Sequence, residues 1–222
     1  AGFSSAEKVS LSFGIKQENV FGTGNYLGLE FNTSKSQRTI VLSTIDPYFT
    51  VDGISRAFDL YYRTSSPLNS QGEDYKLVTP GGSVRFGVPF SEYDTVFFGI
   101  GYERTEIQGT NNLPDSYFRY REQFGSTSSS VPLTIGWTRD QRDSALVPTR
   151  GRFQRVNVDL GLLGDKRYMR ANLQFQEYFN PFQRVTLGLN AEFGYGKGLG
   201  GRPYPIFKNF YGGGLGTVRG FD

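Results

Sequence analysis

The chain has 222 residues, a formal charge of +3 and neither cysteine nor histidine, so disulfides, thiolate nucleophiles, His-ligated metals and His general bases are excluded together. Lysine and arginine are scattered rather than clustered, which argues against a nucleic-acid partner, and no apolar run approaches the roughly 18 residues of a membrane helix. A mean hydropathy of −0.41 would suit a soluble protein, but 29 Gly, 14 Tyr and 20 Phe leave a membrane β-barrel open, because there only every second residue meets lipid.

In chain order, Val9, Leu11, Phe13 and Ile15 alternate with Ser10, Ser12, Gly14 and Lys16, a period of two that predicts a strand with one apolar and one polar face. Leu27, Leu29 and Phe31 alternate with Gly28, Glu30 and Asn32; Ile40 and Leu42 do so less cleanly. Phe58, Leu60 and Tyr62 oppose Asp59, Tyr61 and Arg63, and Val84, Phe86 and Val88 oppose Arg85 and Gly87. Val96, Phe98, Ile100 and Tyr102 then oppose Gly99, Gly101 and Glu103, and Val131, Leu133, Ile135 and Trp137 oppose Thr134, Gly136 and Thr138. Val156 to Leu162, Met169 to Phe175 and Val185 to Tyr195 complete ten segments, with Asp159, Arg170 and Glu192 on their polar sides.

Several segments reach the roughly 9–11 residues of a tilted membrane strand, where soluble sandwich strands run to about 5–6. A soluble sandwich or lipocalin-like barrel is the rival fold, but the face opposite the apolar one is richer in glycine than a solvent face requires. The fold class expected is therefore all-β, an antiparallel transmembrane β-barrel in a single domain over 1–222. No secretory leader opens the chain, so it is expected to be part of a longer protein.

The connections supply a second signal. Compact turns are expected at Asn19 to Gly24, Asp46 to Gly53, Pro89 to Thr95, Asp143 to Arg150 and Asn180 to Gln183. Long connections are expected at Ser65 to Gly82, Gln108 to Ser130 and Gly196 to Asp222, all on the opposite end of an antiparallel meander. Outer-membrane barrels have this asymmetry, with short periplasmic turns and long external loops.

The polar-side charges Glu30, Asp59, Glu103, Asp159 and Glu192 could form acid/base pairs or a cation site. The barrel reading makes them lumen groups, wetted or paired with Arg63, Arg85 and Arg170. Trp137, Tyr102 and Tyr195 could stack a ligand, but aromatics at strand ends belong more naturally to interfacial girdles. Gly196-Lys197-Gly198-Leu199-Gly200-Gly201 imitates a phosphate loop only superficially, since no Ser or Thr follows the Gly-Lys and no helix pattern comes next.

The chain closes on Gly212 to Asp222, which contains Val218, Arg219, Gly220 and Phe221. Here it resembles the BamA family of outer-membrane assembly factors, whose sixth external loop carries a Val-Arg-Gly-Phe signature. Asp46-Pro47-Tyr48-Phe49-Thr50-Val51-Asp52-Gly53 looks like that family's turn after its fourth strand, Gln17 to Gly24 like its first periplasmic turn, and Asn209 to Gly214 like the approach to the loop motif.

The resemblance implies a sixteen-stranded barrel, of which this chain holds strands two to eleven, with 196–222 as the Gly-rich loop; Ala1 to Ser5 would be the end of the first strand or its loop. It further implies a protein that folds and inserts other β-barrels into the bacterial outer membrane. Such a protein is no enzyme, uses neither ATP nor a cofactor, and partners outer-membrane lipids, unfolded outer-membrane proteins and accessory lipoproteins. Arg219 would fold back into the lumen toward acidic groups of the inner wall; in the family its partner lies on a strand this chain does not hold, so that here it would be disordered or borrow Glu192 or Asp159. A passive porin and a two-partner secretion transporter of the same superfamily are the alternatives. An outer-membrane lipase or protease of the usual kind cannot form without histidine.

Overall fold

The computed structural model describes residues 2–4, 8–34, 36–66, 75–109, 113, 115–182 and 185–210. Its strands are β1 (Gly2–Ser4), β2 (Lys8–Gln17), β3 (Tyr26–Thr33), β4 (Gln37–Asp46), β5 (Ser55–Ser65), β6 (Lys76–Pro89), β7 (Asp94–Gln108), β8 (Thr127–Asp140), β9 (Gly151–Gly164), β10 (Tyr168–Phe182) and β11 (Val185–Gly198). They form one 11-stranded antiparallel sheet in which sequence order equals spatial order. β2 to β11 are the ten alternating segments, and β1 is a three-residue strand paired to β2 through Gly2↔Ser10 and Ser4↔Lys8. The sheet is open, since β1 and β11 do not pair with each other.

Alternation decides which face each residue takes, and burial shows what each face meets. Phe13, Leu60, Ile100, Leu189 and Phe193 lie on one side and are exposed. On the other side Glu103, Thr105, Ser128 and Ser130 are buried. A water-soluble sheet would bury the first set; an apolar outer face with a polar inner one fits strands whose outer solvent is lipid. β6 to β11 run to 14 or 15 residues each, beyond the roughly 9–11 needed to span, so they extend past the hydrocarbon layer.

The glycine excess on the inner face has a packing cause. Tyr61 lies opposite Gly81, Tyr168 opposite Gly161 and Tyr178 opposite Gly188. A Cβ added to Gly81 or Gly161 would come within 2.5 Å of the partner's ring, so each glycine leaves a groove in which a tyrosine lies flat along the wall.

Three expected long connections need correction. Ser65 to Gly82 shortens to 66–75, because β6 starts at Lys76 and continues the ladder with Leu77↔Ser65 and Gly82↔Leu60. Leu77 is an apolar residue on the polar side, adjacent to Val78, and Lys76 and Pro80 fall on the apolar side, so the sequence there lacks a clean period of two. Gln108 to Ser130 is not one loop either. It holds α1 (Asp115–Phe124), and Thr127 already belongs to β8. β11 likewise reaches Gly198, past the expected loop start at Gly196. The two ends of the sheet otherwise lie as alternation places them, with the C-terminal ends of β3, β5, β7, β9 and β11 at one end.

Candidate functional site

At the long-connection end, three connections converge on the inner wall around Glu103. β7 carries Glu103 inward beside Thr105, and β8 brings Ser130, whose hydroxyl donates to Glu103 Oε1 at 3.1 Å. The connection between β9 and β10 turns Lys166 inward, where its Nζ donates to Thr105 Oγ1 at 2.9 Å and stands 3.4 Å from Glu103 Oε1. Lys208, from the segment after β11, lies 2.8 Å from Glu103 Oε2. One carboxylate thus meets two ammonium groups and a hydroxyl.

Burial pushes the Lys166 ammonium down to about 8, against the opposing pull of Glu103. Removing the carboxylate would strand that ammonium, since an unpaired charge in an enclosed site is costly. The Lys166 loop is itself fastened: the backbone N–H of Ser129 and its hydroxyl both donate to Asp165, at 2.8 and 3.1 Å. The Ser129 N–H is the main reason the Asp165 carboxyl titrates below its ordinary range.

Aromatic rings close the cluster. Phe207 packs edge-on to Tyr120 of α1 at 5.5 Å, and Tyr120 sits 4.8 Å from Phe124. Lys166 lies 4.9 Å from the Phe207 ring and Lys208 5.5 Å from that of Tyr168. Burial raises the Tyr120 phenol above its ordinary value.

The segment after β11 therefore doubles back over the inner wall. The Leu199 N–H donates to the Arg167 carbonyl at 2.9 Å, Arg202 donates to the Asp165 carbonyl, and the Tyr204 hydroxyl donates to the Lys208 carbonyl at 2.8 Å. Tyr204 and Phe210 rest on glycines of β11: a Cβ on Gly196 or Gly194 would fall 2.6 Å from the respective ring. Phe210 also lies 4.5 Å below the Arg170 guanidinium.

The remaining inner-face charges are dispersed along the wall. Among the expected pairings, only Asp59 meets an arginine of the expected set, Arg85 at 3.5 Å, and Asp59 also accepts from Ser43 Oγ at 2.7 Å. Glu30 pairs with Lys16 at 2.7 Å. Asp159 accepts from Thr134 Oγ1 at 2.8 Å and Glu192 from Asn172 Nδ2 at 3.0 Å. Arg63 stacks on Tyr61 at 4.5 Å rather than meeting an acid, and Arg170 stacks on Phe210 with its buried Nε lacking a hydrogen bond. Of the two expected fates of these charges, arginine pairing is seen for Asp59, while lysines, hydroxyls, amides and rings are the neighbours of the others. Lys166 and Lys208 were not singled out by sequence: both sit in connections, where no periodicity assigns a face. Among the described residues, no group of three or more Asp and Glu could hold a metal ion. Val218, Arg219, Gly220 and Phe221 lie outside the described residues.

Residues 19–222 match the Omp85 superfamily domain. The chain is 37% identical, over 96% of its length and 28% of the relative's, to the outer membrane protein assembly factor BamA of Neisseria meningitidis. It is 27% identical, over 100% of its length and 27% of the relative's, to the BamA of Nitratidesulfovibrio vulgaris. A sorting and assembly machinery component 50 homolog of Xenopus laevis is 25% identical over 96% of the chain and 44% of the relative. Among solved structures, BamA from Haemophilus ducreyi lacking POTRA domains 1-3 superposes with a TM-score of 0.86 at 25% identity, covering 99% of this chain and 44% of that one. The chain thus spans about a quarter of the length of the BamA relatives it matches.

Proposed function

This chain belongs to the Omp85 superfamily, and we propose that it forms part of the barrel of an outer-membrane factor that folds and inserts β-barrel proteins into the bacterial outer membrane. Its partners in this reading are outer-membrane lipids on the apolar face, unfolded outer-membrane proteins as substrates, and accessory lipoproteins. The long-connection end faces outward and the short turns face the periplasm. The work is non-covalent: a sheet is offered to another chain's strands in a lipid surround, and no bond is made or broken.

The observation that carries this reading is the inward fold of residues 199–210. A passive pore needs its lumen open, whereas here the segment leading to Val218–Phe221 lies along the wall, tied by Lys208 to Glu103 and seated through Phe210 over Gly194. Phe210 ends that path beside Arg170, whose register partner on β9 is Asp159, and two residues along β11 from Glu192. Among the described residues Asp159 and Glu192 take hydrogen bonds only from neutral donors, so both keep an unneutralised charge for a guanidinium arriving from the loop. We assign that role to Arg219, with Gly220 allowing close approach and Phe221 packing the tip. Lysine lacks the planar fork that grips a carboxylate with two donors.

The test is complementation of a depletion strain by the full-length protein. Arg219→Ala and Arg219→Lys should both lower assembly of outer-membrane proteins and reduce heat resistance on semi-native gels. Full complementation by Arg219→Ala with unchanged gel mobility would overturn the assignment, and large single-channel conductance from the wild type would favour a pore.

A further inference from the structure

Three acid–arginine pairs stand on the outer, apolar face near the short-turn end, and each is a directly opposed pair in the strand register. Asp46 on β4 faces Arg56 on β5, Asp94 on β7 faces Arg139 on β8, and Arg152 on β9 faces Glu177 on β10. Charges on a lipid face belong at its boundary, because near the bilayer centre they are expensive. An aromatic side chain accompanies each pair. Arg56 stacks on Phe49 at 4.0 Å and Phe58 at 5.2 Å, the Trp137 indole N–H donates to Asp94 at 3.1 Å, and Arg152 lies 5.6 Å from the Phe175 ring.

The register places the three pairs at one height. A perpendicular from Arg56 meets Phe86 on β6 and Phe98 on β7, from which Asp94 lies four positions toward the short-turn end. A perpendicular from Arg139 meets Gln154 on β9, from which Arg152 lies two positions in the same sense. The stagger is thus six positions over five strand spacings. With strands about 4.8 Å apart and a rise of about 3.4 Å per residue, the pairs are level when the strands tilt by about 40°, inside the roughly 35–45° of membrane barrels. They form a collar in one plane.

Two of the three pairs are left open. Arg56 approaches Asp46 no closer than 3.6 Å and Arg139 approaches Asp94 at 3.9 Å, both too long for a hydrogen bond, whereas Arg152 and Glu177 close at 2.8 Å. Each open pair therefore presents a guanidinium beside a carboxylate held by other donors, the Tyr48 N–H on Asp46 and the Ser91 hydroxyl and Trp137 indole on Asp94, with lone pairs to spare and an aromatic ring alongside. A phosphoethanolamine headgroup is complementary to that arrangement. Its phosphate accepts from the guanidinium, its primary ammonium donates to the carboxylate, and its acyl chains continue along the apolar face above. A phosphoglycerol headgroup has no cation for the acid, and a phosphocholine cation has no N–H to donate.

Resting on the membrane placement proposed above, we infer that Asp46–Arg56 and Asp94–Arg139 are seats for phosphatidylethanolamine in the leaflet at the short-turn end. The closed Arg152–Glu177 pair marks the same plane without taking a headgroup.

The full-length protein, reconstituted in phosphatidylcholine bilayers containing trace spin-labelled phosphatidylethanolamine or phosphatidylglycerol, reports both layers of this inference. Electron spin resonance reads the fraction of each label held at the protein surface. The wild type should hold the ethanolamine label over the glycerol label by about two- to fivefold in association constant, the effect of an exposed ion pair. Asp46→Asn with Asp94→Asn should erase or invert that preference. Exchanging both pairs (Asp46→Arg with Arg56→Asp, Asp94→Arg with Arg139→Asp) should restore it. Equal association of the two labels with the wild type, a comparison that needs no variant to fold, would overturn the seats, as would a preference that survives in the double Asn variant. No restricted component from any label would instead refute the membrane placement.

Discussion

Glu103 and Glu192 are the same residue type on the same face of one sheet, and they live in different solvents. Glu103 is 5% exposed, enclosed by Lys166, Lys208 and Ser130, while Glu192 on β11 is exposed and accepts one hydrogen bond from Asn172. The strands do not make this difference, since both carboxylates project from inward positions of long, regular ladders. The connections make it: α1, the Lys166 turn and the segment after β11 cap one end of the wall and leave the rest of it open. In this fold the strands set direction and the loops set dielectric.

The sharpest way to break that contrast is to neutralise each carboxylate in turn. Glu103→Gln leaves the buried Lys166 without its counter-charge and should destabilise the full-length protein by about 3–5 kcal/mol. Glu192→Gln keeps its Asn172 contact and leaves Asp159 to meet the loop guanidinium proposed above, so at this exposed site it should cost no more than about 1 kcal/mol. Denaturant unfolding in detergent micelles measures both. Similar losses for the two would mean that the Glu103 cluster is wetter than its packing indicates.

The two faces of β11 provide the next contrast. Phe193 points outward, is 63% exposed and lies four positions along β11 from the level of Glu177, and Asn190 points to the lumen. Phe193→Arg should cost roughly 2–4 kcal/mol in lipid, where Asn190→Arg can stay hydrated. Refolding yield into vesicles compares them directly; a larger loss for Asn190→Arg would mean that the parity of β11 is inverted, and equal yields that its two faces do not meet different solvents.

Alternation carried most of the fold because a barrel wall has the simplest code a sequence can write: every second residue meets a different solvent. That is why β2 to β11 were legible from Val9 to Tyr195, and why the upper part of β6 was not. Around Leu77, Val78 and Pro80 the strand has left the hydrocarbon layer, both faces are partly covered by protein, and the periodic demand relaxes. The helix α1 escaped for a related reason. Asp-Ser-Tyr-Phe-Arg-Tyr-Arg-Glu-Gln-Phe offers no apolar stripe of ordinary width, and Tyr120 is the one described side chain of the helix that is buried against the cluster. Glu103 was visible as an inward acid, but its partners come from residue separations of 63 and 105, and nothing local in the sequence encodes such pairs.

The seating of the loop can be probed without touching charge. Phe210 and Tyr204 lie flat on Gly194 and Gly196, so Gly194→Val should lift Phe210 from the wall at about 1–3 kcal/mol, the usual penalty of overpacking. Gly22→Val, in a turn where an added Cβ meets nothing within 4 Å, controls for glycine loss but carries a left-handed φ of 78°, so its cost is one of backbone strain. Protease sensitivity of 199–210 separates the two: it should rise for Gly194→Val only.

The smallest effect belongs to a charge that never leaves water, and it completes the contrast with Glu103. Asp143 organises the turn between β8 and β9 by accepting from the Thr149 hydroxyl, from the Thr149 N–H at 2.9 Å and from the Arg150 N–H at 3.1 Å. These bonds, that of the Thr149 hydroxyl first, hold its carboxyl down at about 2 against an ordinary 3.8. A depressed acid stabilises the turn at pH values above its unfolded value, and the contribution is lost as pH falls from about 4 through about 2. Amide exchange at Thr149 and Arg150, corrected for the intrinsic pH dependence of exchange, should therefore show protection that declines across that window. Asn at this position keeps an acceptor oxygen and does not titrate there, so Asp143→Asn should flatten the profile while leaving partial protection. Protection that stays constant in the wild type from pH 5 to 1.5 would mean that the backbone of 141–150, and not the carboxylate, holds the turn. Because Asp143 is fully solvated, the change should be confined to this turn and leave the Glu103 cluster and the protein's heat resistance unaltered.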